Sequence, residues 1–457
     1  MKTVYVFGED CMKNFSVSKD QKSRASVFEL DGMPKLSQAL PLALQHVVAM
    51  IVGCVTPAII ISGAAGLGNS DKVILIQASL VFAALSTFIM IFAPKIGSFR
   101  LGARLPVIMG VSFAYVPSMT AFCKSSGLSS IFGAQIVGGI VAVCVGLSIR
   151  KIRKFFPPLI AGTVVFTIGL SLYPTAIKYM AGGETSADYG SAKNWIIAIF
   201  TLTVVTVLNH YAKGFVKLAS ILIGMIAGYI VAAFAGMVNL SPVAAAGFFA
   251  APTALHFSVS FEPASCIAIG LLFAVNSIQA IGDFSATTSG GLNRQPTDAE
   301  LKGGITAYGI SNIIGAFFGC LPTASYSQNV GIVTTTKVVN RKTLGLSALI
   351  ILIAGIFPKF SALLITIPYC VLGGATVSVF ASIAMTGMKL VMSEKMGFRN
   401  SSIVGLSAAL GMGISEASSS LSQFPGWVTT IFGTSPVVIA TLVAVFLNIT
   451  LPKEQEP

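Results

Sequence analysis

The chain has 457 residues, of which 54% are apolar and 10% are charged, and its mean hydropathy is +0.85. This composition excludes an ordinary soluble domain, and apolar runs of about 20 residues, long enough to cross a bilayer, recur along the sequence. The net charge of +13 does not indicate a nucleic-acid partner, because its distribution follows a membrane topology. The sequence therefore predicts a polytopic membrane protein embedded in a lipid bilayer.

Residues 1–35 are polar and charged, without the apolar core or cleavage site of a signal peptide, so they predict a cytoplasmic N-terminal arm. A first half at 36–238 and a second half at 263–451 follow, with a C-terminal tail at 452–457. The fourteen predicted spans are 36–61, 72–93, 105–121, 130–149, 156–175, 194–211, 217–238, 263–283, 302–320, 325–337, 343–357, 362–388, 401–415 and 434–451.

The basic residues are distributed unevenly across these predicted spans. With the N-terminus inside, 24 of the 29 Lys and Arg residues fall on the cytoplasmic side and five fall outside. This is the positive-inside bias of membrane proteins. It predicts a multi-pass protein of the plasma membrane, the inner membrane of a bacterium, with both termini in the cytoplasm.

Two of the predicted spans make poor membrane helices. The tenth, within Thr323–Lys337, carries many hydroxyls and the amide pair Gln328 and Asn329, which lipid cannot satisfy. The third, Leu105–Pro117, is short and interrupted by proline and glycine. Short, interrupted segments in matching places of two halves are typical of a transporter's binding site.

A second sequence similarity between the two halves supports an internal repeat. Pro157–Gly162 in the fifth span and Pro368–Gly373 in the twelfth share a Pro-x4-Gly pattern. Because each half has an odd number of spans, the two halves must be inverted relative to one another, with the site near the midplane. The fold class is therefore an all-α polytopic membrane protein.

Ionisable residues inside a membrane are costly and indicate function. Asp283 ends the eighth span, and Gln279, four residues earlier, lies on the same helical face. If that face meets the tenth segment, Gln279, Asp283, Gln328 and Asn329 line one pocket. The alternative is that Asp283 reaches the cytoplasmic interface and caps a helix. For His46, an interhelical hydrogen bond is favoured over contact with substrate.

Enzymatic chemistry finds no support in the sequence. There is no HExxH, and Gly66-Leu-Gly68 is not followed by a phosphate-binding pattern. The seven cysteines show no CxxC and no paired spacing. We therefore predict a protein that is not an enzyme and has no cofactor and no metal.

The run Gln328-Asn329-x-Gly331-x4-Thr336-Lys337 resembles the signature of the nucleobase–ascorbate transporter family, also called nucleobase:cation symporter-2. Its bacterial members include uracil and xanthine permeases. Further family landmarks are matched at Gln45-His46, Ser112–Tyr115, Ile281–Asp283 and Leu301–Gly304.

The resemblance implies fourteen spans in two inverted seven-span repeats, divided into a core and a gate domain, with a short strand and a half-helix in the third and tenth segments. In that family the base binds between these segments and the eighth span. Carried over by position, the substrate-binding residues are Gln279, Gln328, Phe113, Ala114, Tyr115 and Ser327, and the supporting or coupling residues are Asp283, Asn329, His46 and Tyr308.

This chain departs from the family pattern at two positions. Many members have glutamate where it has Gln279, and some purine carriers have aspartate where it has Tyr308. A carboxylate only accepts hydrogen bonds, whereas an amide offers one acceptor and one donor group and cannot titrate. We therefore expect Gln279 to favour a base edge with one donor and one acceptor. Any proton would be carried by Asp283, or the coupling is altered or absent.

The resemblance favours the import of xanthine or a related oxopurine by alternating access, with a proton or Na⁺, by a chain that can form a homodimer. A uracil permease of the same family is the alternative. Two further classes stay open: an anion carrier of the sulfate-permease type, and a membrane scaffold or receptor, which predicts no uptake.

Overall fold

A computed structural model describes residues 26–97, 99–149, 157–184, 186–425, 428–429, 432–433 and 435–452. The predictions made for the N-terminal arm up to residue 25, for the basic run at 150–154 and for residues 453–457 lie outside the described residues.

Within those residues the regular secondary structure is helical apart from two small two-stranded sheets. The elements of the first half are α1 Leu36–Ala64, α2 Asn69–Phe92, β1 Lys95–Ile96, β2 Phe99–Arg100, β3 Met109–Val111, α3 Val116–Ser126, α4 Leu128–Leu147, α5 Pro158–Met180, α6 Ala192–Tyr211, α7 Gly214–Leu218, α8 Ser220–Phe234 and α9 Ser241–Ala245. Those of the second half are α10 Pro263–Leu292, α11 Asp298–Phe317, β4 Thr323–Ser325, α12 Ser327–Thr336, α13 Arg341–Ile356, α14 Pro358–Ile365, α15 Tyr369–Val391, α16 Phe398–Glu416 and α17 Pro436–Thr450. Short 3-10 turns occupy Ser26–Phe28, Phe113–Tyr115 and Ser418–Leu421.

Seven of the described helices are long and apolar enough to cross a membrane, namely α1, α2, α4, α5, α6, α10 and α15. Helices α13 and α14 make an eighth candidate if the pair, bent by 80°, counts as one span. The chain is thus a mostly helical, multi-pass membrane protein. The fourteen predicted segments exceed this number because several are shorter, such as the apolar helices α8 and α17.

The predicted twelfth span at 362–388 is wrong at its beginning. Residues up to Ile365 belong to α14, which continues α13 around the bend, and a new helix begins at Tyr369 after Pro368. Proline lacks the N–H that a continuous helix would use, and it disfavours helical backbone at the residue before it. The eighth span was also predicted too short, since α10 continues past residue 283 to Leu292.

The helices of the two halves pack in matched pairs. Helix α13 lies against α1 and α2, while α4 lies against α10 and α11. In the same way α6 packs on α8, and α16 packs on α17. The eleventh predicted span thus packs on the first and second, and the fourth packs on the eighth and ninth. These two arrangements correspond, as expected for two equivalent halves.

Helices α5 and α15, which carry the shared Pro-x4-Gly pattern, cross each other in antiparallel directions. A Cβ on Gly162 would lie 2.8 Å from the carbonyl oxygen of Gly387, and one on Gly373 would lie 2.2 Å from the nitrogen of Met180. Glycines at such crossings let two helix backbones approach closely. The glycines of the shared pattern therefore lie where α5 of the first half contacts α15 of the second half.

The third and tenth segments are each a short strand followed by a helix. Strands β3 and β4 pair in antiparallel directions, with Met109 opposite Ser325 and Val111 opposite Thr323. Two strands alone are marginally stable, so this pair needs support from its surroundings. Thr87 Oγ1 accepts from Met109 N at 2.9 Å, and Asn312 Oδ1 accepts from Thr323 N at 2.8 Å. One side chain from α2 and one from α11 thus hold the two strands inside the helical bundle.

Candidate functional site

A cavity of about 180 Å³ opens where the strand pair ends and the two short helices begin. One wall is formed by the β3 and β4 segments together with Gln279 of α10, and the opposite wall belongs to α5 and α15. The lining residues are Val111, Ser112, Phe113, Ala114, Val165, Ile168, Gln279, Ser325, Tyr326, Ser327, Gln328, Ser382, Ile383 and Thr386. The third, eighth and tenth predicted segments therefore converge on one cavity.

Two half-helices begin at this cavity. Helix α3 follows the turn Phe113–Tyr115, whose first N–H groups are partly satisfied because Ser112 Oγ accepts from Ala114 N at 3.2 Å. Helix α12 begins at Ser327 after Tyr326, whose side chain makes no capping hydrogen bond. Helix N-termini carry partial positive charge and unsatisfied N–H groups. The cavity can therefore attract carbonyl oxygens or other acceptors of a ligand.

Gln279 and Gln328 are the two amide side chains that line the cavity. Among the described residues neither amide has a hydrogen-bond partner, and Gln328 is exposed to the cavity. Each amide offers an acceptor oxygen and a donor NH₂ group. Both are consequently free to recognise a polar ligand.

Asp283 lies behind the polar wall instead of lining it. The residue is 7% exposed, and its carboxylate accepts hydrogen bonds from Ser325 Oγ at 2.5 Å and Ser327 Oγ at 2.8 Å. Both serines line the cavity, so Asp283 contacts it through their hydroxyls. The alternative in which Asp283 caps a helix at the interface is wrong, because α10 continues beyond it to Leu292.

Asn329 also turns away from the cavity. Its Nδ2 lies 3.0 Å from His46 Nδ1 and donates to the carbonyl oxygen of His46 at 3.1 Å. His46, in α1, is 1% exposed. The predicted interhelical hydrogen bond of His46 is confirmed, and the shared pocket predicted for four residues is reduced to Gln279 and Gln328.

Tyr115 is a predicted binding residue that the structure places outside the cavity lining. Its hydroxyl bonds to that of Tyr308, and its ring lies 4.9 Å from the ring of Phe273. Tyr308 stacks on the same Phe273 ring at 5.4 Å. The two tyrosines therefore form a buried aromatic cluster behind the β3 segment.

The wall formed by α5 and α15 was not predicted from the sequence. Ser382 and Thr386 bring hydroxyls to the cavity, and Val165, Ile168 and Ile383 bring apolar surface. A signal was present, because Ser378, Ser382 and Thr386 recur every fourth residue along an apolar helix. Such spacing places them on one face.

Phe113 gives the cavity an aromatic surface. Its ring packs edge-on against Phe380 of α15, with centroids 5.1 Å apart and planes at 78°. This contact spans the two walls, so the cavity lies between helices of both halves. The site combines free amides, serine oxygens and an aromatic ring, which suits a small flat polar molecule.

The fold is similar to that of solved anion transporters. The transmembrane domain of the cyanobacterial bicarbonate transporter BicA aligns with a TM-score of 0.59, at 17% identity, over 89% of this chain and 97% of that one. The murine Slc26a9 anion transporter aligns with a TM-score of 0.57, at 12% identity, over 90% of this chain and 68% of that one. At such identities the likeness concerns the fold alone.

Relatives with named substrates are similar over nearly the whole chain. The xanthine permease of Bacillus subtilis is 32% identical over 417 residues, covering 90% of this chain and 93% of the relative. The uric acid permease PucK of the same organism is 31% identical over 413 residues, covering 90% and 95%. The xanthine permease XanP of Escherichia coli K12 is 30% identical over 460 residues, covering 96% and 97%.

A family model described as a permease family, Xan_ur_permease, matches residues 37–419. The match includes both strand–helix segments and every residue that lines the cavity. The chain therefore belongs to the xanthine/uracil permease family, whose members are membrane transporters and not enzymes.

Proposed function

We propose that the chain is a secondary active transporter that imports a nucleobase, with xanthine or a related oxopurine favoured, by alternating access. The observation that carries this proposal is the pair of free amides, Gln279 and Gln328, in one cavity. Oxopurines present alternating N–H donors and carbonyl acceptors along a flat ring. An amide matches such an edge with one donor and one acceptor.

The serines of the β4 segment extend this recognition. Ser325 and Ser327 donate their protons to Asp283, so the lone pairs of both oxygens remain available as acceptors for ligand N–H groups. A site built to hydrogen-bond a ligand rejects analogues that leave its buried groups unpaired. The binding set we propose is Gln279, Gln328, Ser327 and the backbone around Phe113 and Ala114.

The relatives support a purine as the substrate, since the names of three that match most of the chain contain xanthine or uric acid. An anion carrier is less well supported. The described residues that line the cavity include no Lys or Arg to hold a permanent anion. Uracil import is the remaining alternative, and the uptake experiment below separates it from purine import.

The proposed architecture is the fourteen-segment one, with inverted repeats at 36–238 and 263–451, core and gate domains, and both termini in the cytoplasm of a bacterial cell. The matched helix pairs and the crossing of α5 with α15 support it. A homodimer and a co-transported proton or Na⁺ are part of the same proposal. Reporter fusions at each terminus and cross-linking in membranes test the orientation and the dimer.

The test of function is an uptake competition panel in proteoliposomes. Radiolabelled xanthine, and in parallel radiolabelled uracil, is offered with uracil, xanthine, urate, hypoxanthine, guanine or sulfate in excess, with and without a gradient of protons or Na⁺. We expect oxopurines to compete and a gradient of protons or Na⁺ to drive accumulation. Competition by uracil alone would move the assignment to a uracil permease, and competition by sulfate would favour an anion carrier. Absence of any uptake contradicts the proposal.

A further inference from the structure

A second cavity lies apart from the strand pair, between the loop that precedes β3 and the beginning of α11. It has about 490 Å³ of free volume, and its lining includes Phe99, Arg100, Arg104, Thr297, Glu300 and Lys302. It shares no lining residue with the cavity at the strand ends. Arg100, Arg104 and Lys302 are all on the predicted cytoplasmic side.

The cavity carries an excess of positive charge. Glu300 is the acidic residue in its lining, and both carboxylate oxygens accept hydrogen bonds from Arg294, at 2.6 and 2.8 Å. Glu300 also accepts from the backbone N–H of Thr297 at 2.8 Å. Its charge is therefore neutralised by Arg294, so it does not offset the three basic residues of the lining.

A second arginine cluster adjoins the same lining. Asp31 accepts from Arg104 at 3.3 Å and from Arg341 at 2.7 Å, so two guanidinium groups share one carboxylate. Arg341 is 6% exposed, lies close enough to Arg104 and Arg100 to be repelled by both, and its Nε has no hydrogen-bond partner among the described residues. The nearby Asp298 is exposed and does not line the cavity.

The walls of this cavity are held in place without a ligand. The N–H of Gly102 donates to the carbonyl oxygen of Gly303 at 3.0 Å, and a Cβ on Gly303 would lie 2.5 Å from the carbonyl oxygen of Gly102. The ammonium of Lys302 lies 5.6 Å from the centre of the Phe99 ring, a contact that leaves its N–H donors free. A preformed site loses less conformational entropy when a ligand binds.

We propose that this cavity binds a phosphate group, supplied either by the headgroup of an anionic phospholipid or by a soluble phosphate. Arginine presents paired N–H donors that match phosphate oxygens, and lysine adds a compact charge. Basic pockets between helices on the cytoplasmic side commonly hold lipid headgroups. The bound phosphate would offset the excess positive charge of Arg100, Arg104 and Lys302.

The experiment measures the thermal unfolding midpoint of the purified full chain in a neutral detergent. One arm adds short-chain phosphatidylglycerol, with phosphatidylcholine as its reference. The other adds inorganic phosphate, with chloride at equal ionic strength as its reference. The variant is Arg100→Gln with Lys302→Gln. The matched control is Lys213→Gln with Lys217→Gln, two exposed lysines on the same predicted side of the membrane and outside the cavity.

We expect a ligand in excess to raise the midpoint of the wild type and of the control by a few degrees, because a ligand that binds only the folded state stabilises it. The double variant should lose at least half of that rise. A rise with phosphatidylglycerol alone assigns a lipid headgroup, and a rise with inorganic phosphate assigns a free phosphate group.

No rise in the wild type, or an equal rise in the double variant, overturns the proposal. If the double variant fails to fold, Arg100→Gln alone replaces it, because that side chain is exposed, and the same comparison applies. The readout involves no uptake, so its outcome is independent of whether the chain transports a nucleobase.

Discussion

The β3–α3 segment and the β4–α12 segment share one architecture but present different chemistry to the cavity between them. The first contributes Val111, Phe113 and Ala114, and its Ser112 hydroxyl is engaged with the backbone of Ala114. The second contributes Ser325, Ser327 and Gln328, whose polar groups face the ligand space or Asp283. The first segment thus gives the site its shape, and the second gives it most of its hydrogen-bonding capacity.

The two segments also differ in how tightly their glycines are packed. A Cβ on Gly110 in β3 would lie 2.5 Å from both Cys54 Sγ and the ring of Tyr326. A Cβ on Gly331 in α12 would have no atom within 4 Å. Substitutions in the first segment should therefore damage folding, whereas substitutions in the second should damage recognition.

The largest expected effect is that of Gly110→Ala. The added methyl overpacks the strand crossing from two sides, and such overpacking costs about 1–3 kcal/mol of stability, or more where backbone must shift. We expect a lower unfolding midpoint, a reduced folded yield and little uptake. The matched control is Gly331→Ala, which should keep its stability because alanine is a better helix former than glycine. An equal loss of stability in both variants would contradict the inference that the first segment is packed more tightly than the second.

Gln328→Ala should come next, with a loss of recognition and no loss of fold. Without the amide, one or two hydrogen bonds to the base are lost, and we expect apparent affinity to fall by about 10- to 100-fold. Stability should be unchanged because Gln328 has no hydrogen-bond partner among the described residues. The control in the other segment is Ser112→Ala, which should alter affinity only a few-fold. Competition binding with radiolabelled xanthine, together with the unfolding midpoint, checks both variants.

Asp283→Asn tests whether the carboxylate behind the second segment carries the coupled proton. An asparagine cannot titrate, and its NH₂ group cannot accept the hydrogen bond that Ser325 or Ser327 now donates. We expect uptake driven by acidification to be lost while exchange of labelled for unlabelled base across the membrane continues. The control is Glu416→Gln, which removes an exposed carboxylate at the end of α16, outside the cavity. Full retention of acidification-driven uptake in Asp283→Asn would show that Asp283 is not the carrier.

Gln279→Glu should change which base edge the site prefers. A carboxylate accepts two hydrogen bonds, so it suits two adjacent N–H groups, whereas the native amide suits one donor and one acceptor. We expect the order of competitors in the uptake panel to shift by several-fold towards bases that present two N–H groups. The control is Gln423→Glu, at an exposed position outside the cavity. An unchanged order would indicate that Gln279 does not contact the base.

The interruption of the third and tenth segments and the amide of Gln328 could be predicted because both signals are local. Polar residues in an apolar chain mark Thr323–Ser325 and Gln328 without reference to any other element. The structure confirms a strand and a short helix in each segment.

Other features depend on contacts that a linear pattern does not contain. Asp283 and Gln279 share a helical face, but one extra turn places Asp283 behind Ser325 and Ser327. The direction of Tyr115 is decided by its packing with Phe273. The contribution of Ser382 and Thr386 depends on the crossing of α5 and α15, which is set by glycines in both halves.

The smallest expected effect is that of Tyr308→Phe, which tests whether the cluster behind the first segment acts on the ligand at all. The change removes the hydrogen bond to Tyr115 but keeps the ring that stacks on Phe273. A buried hydrogen bond contributes about 1 kcal/mol net, so in a chain of this length the unfolding midpoint should fall by about 1 °C. The order of competing bases should stay the same because neither tyrosine lines the cavity. A changed order with an unchanged midpoint would mean that Tyr115 reaches the ligand during transport, and the first segment would then share in recognition.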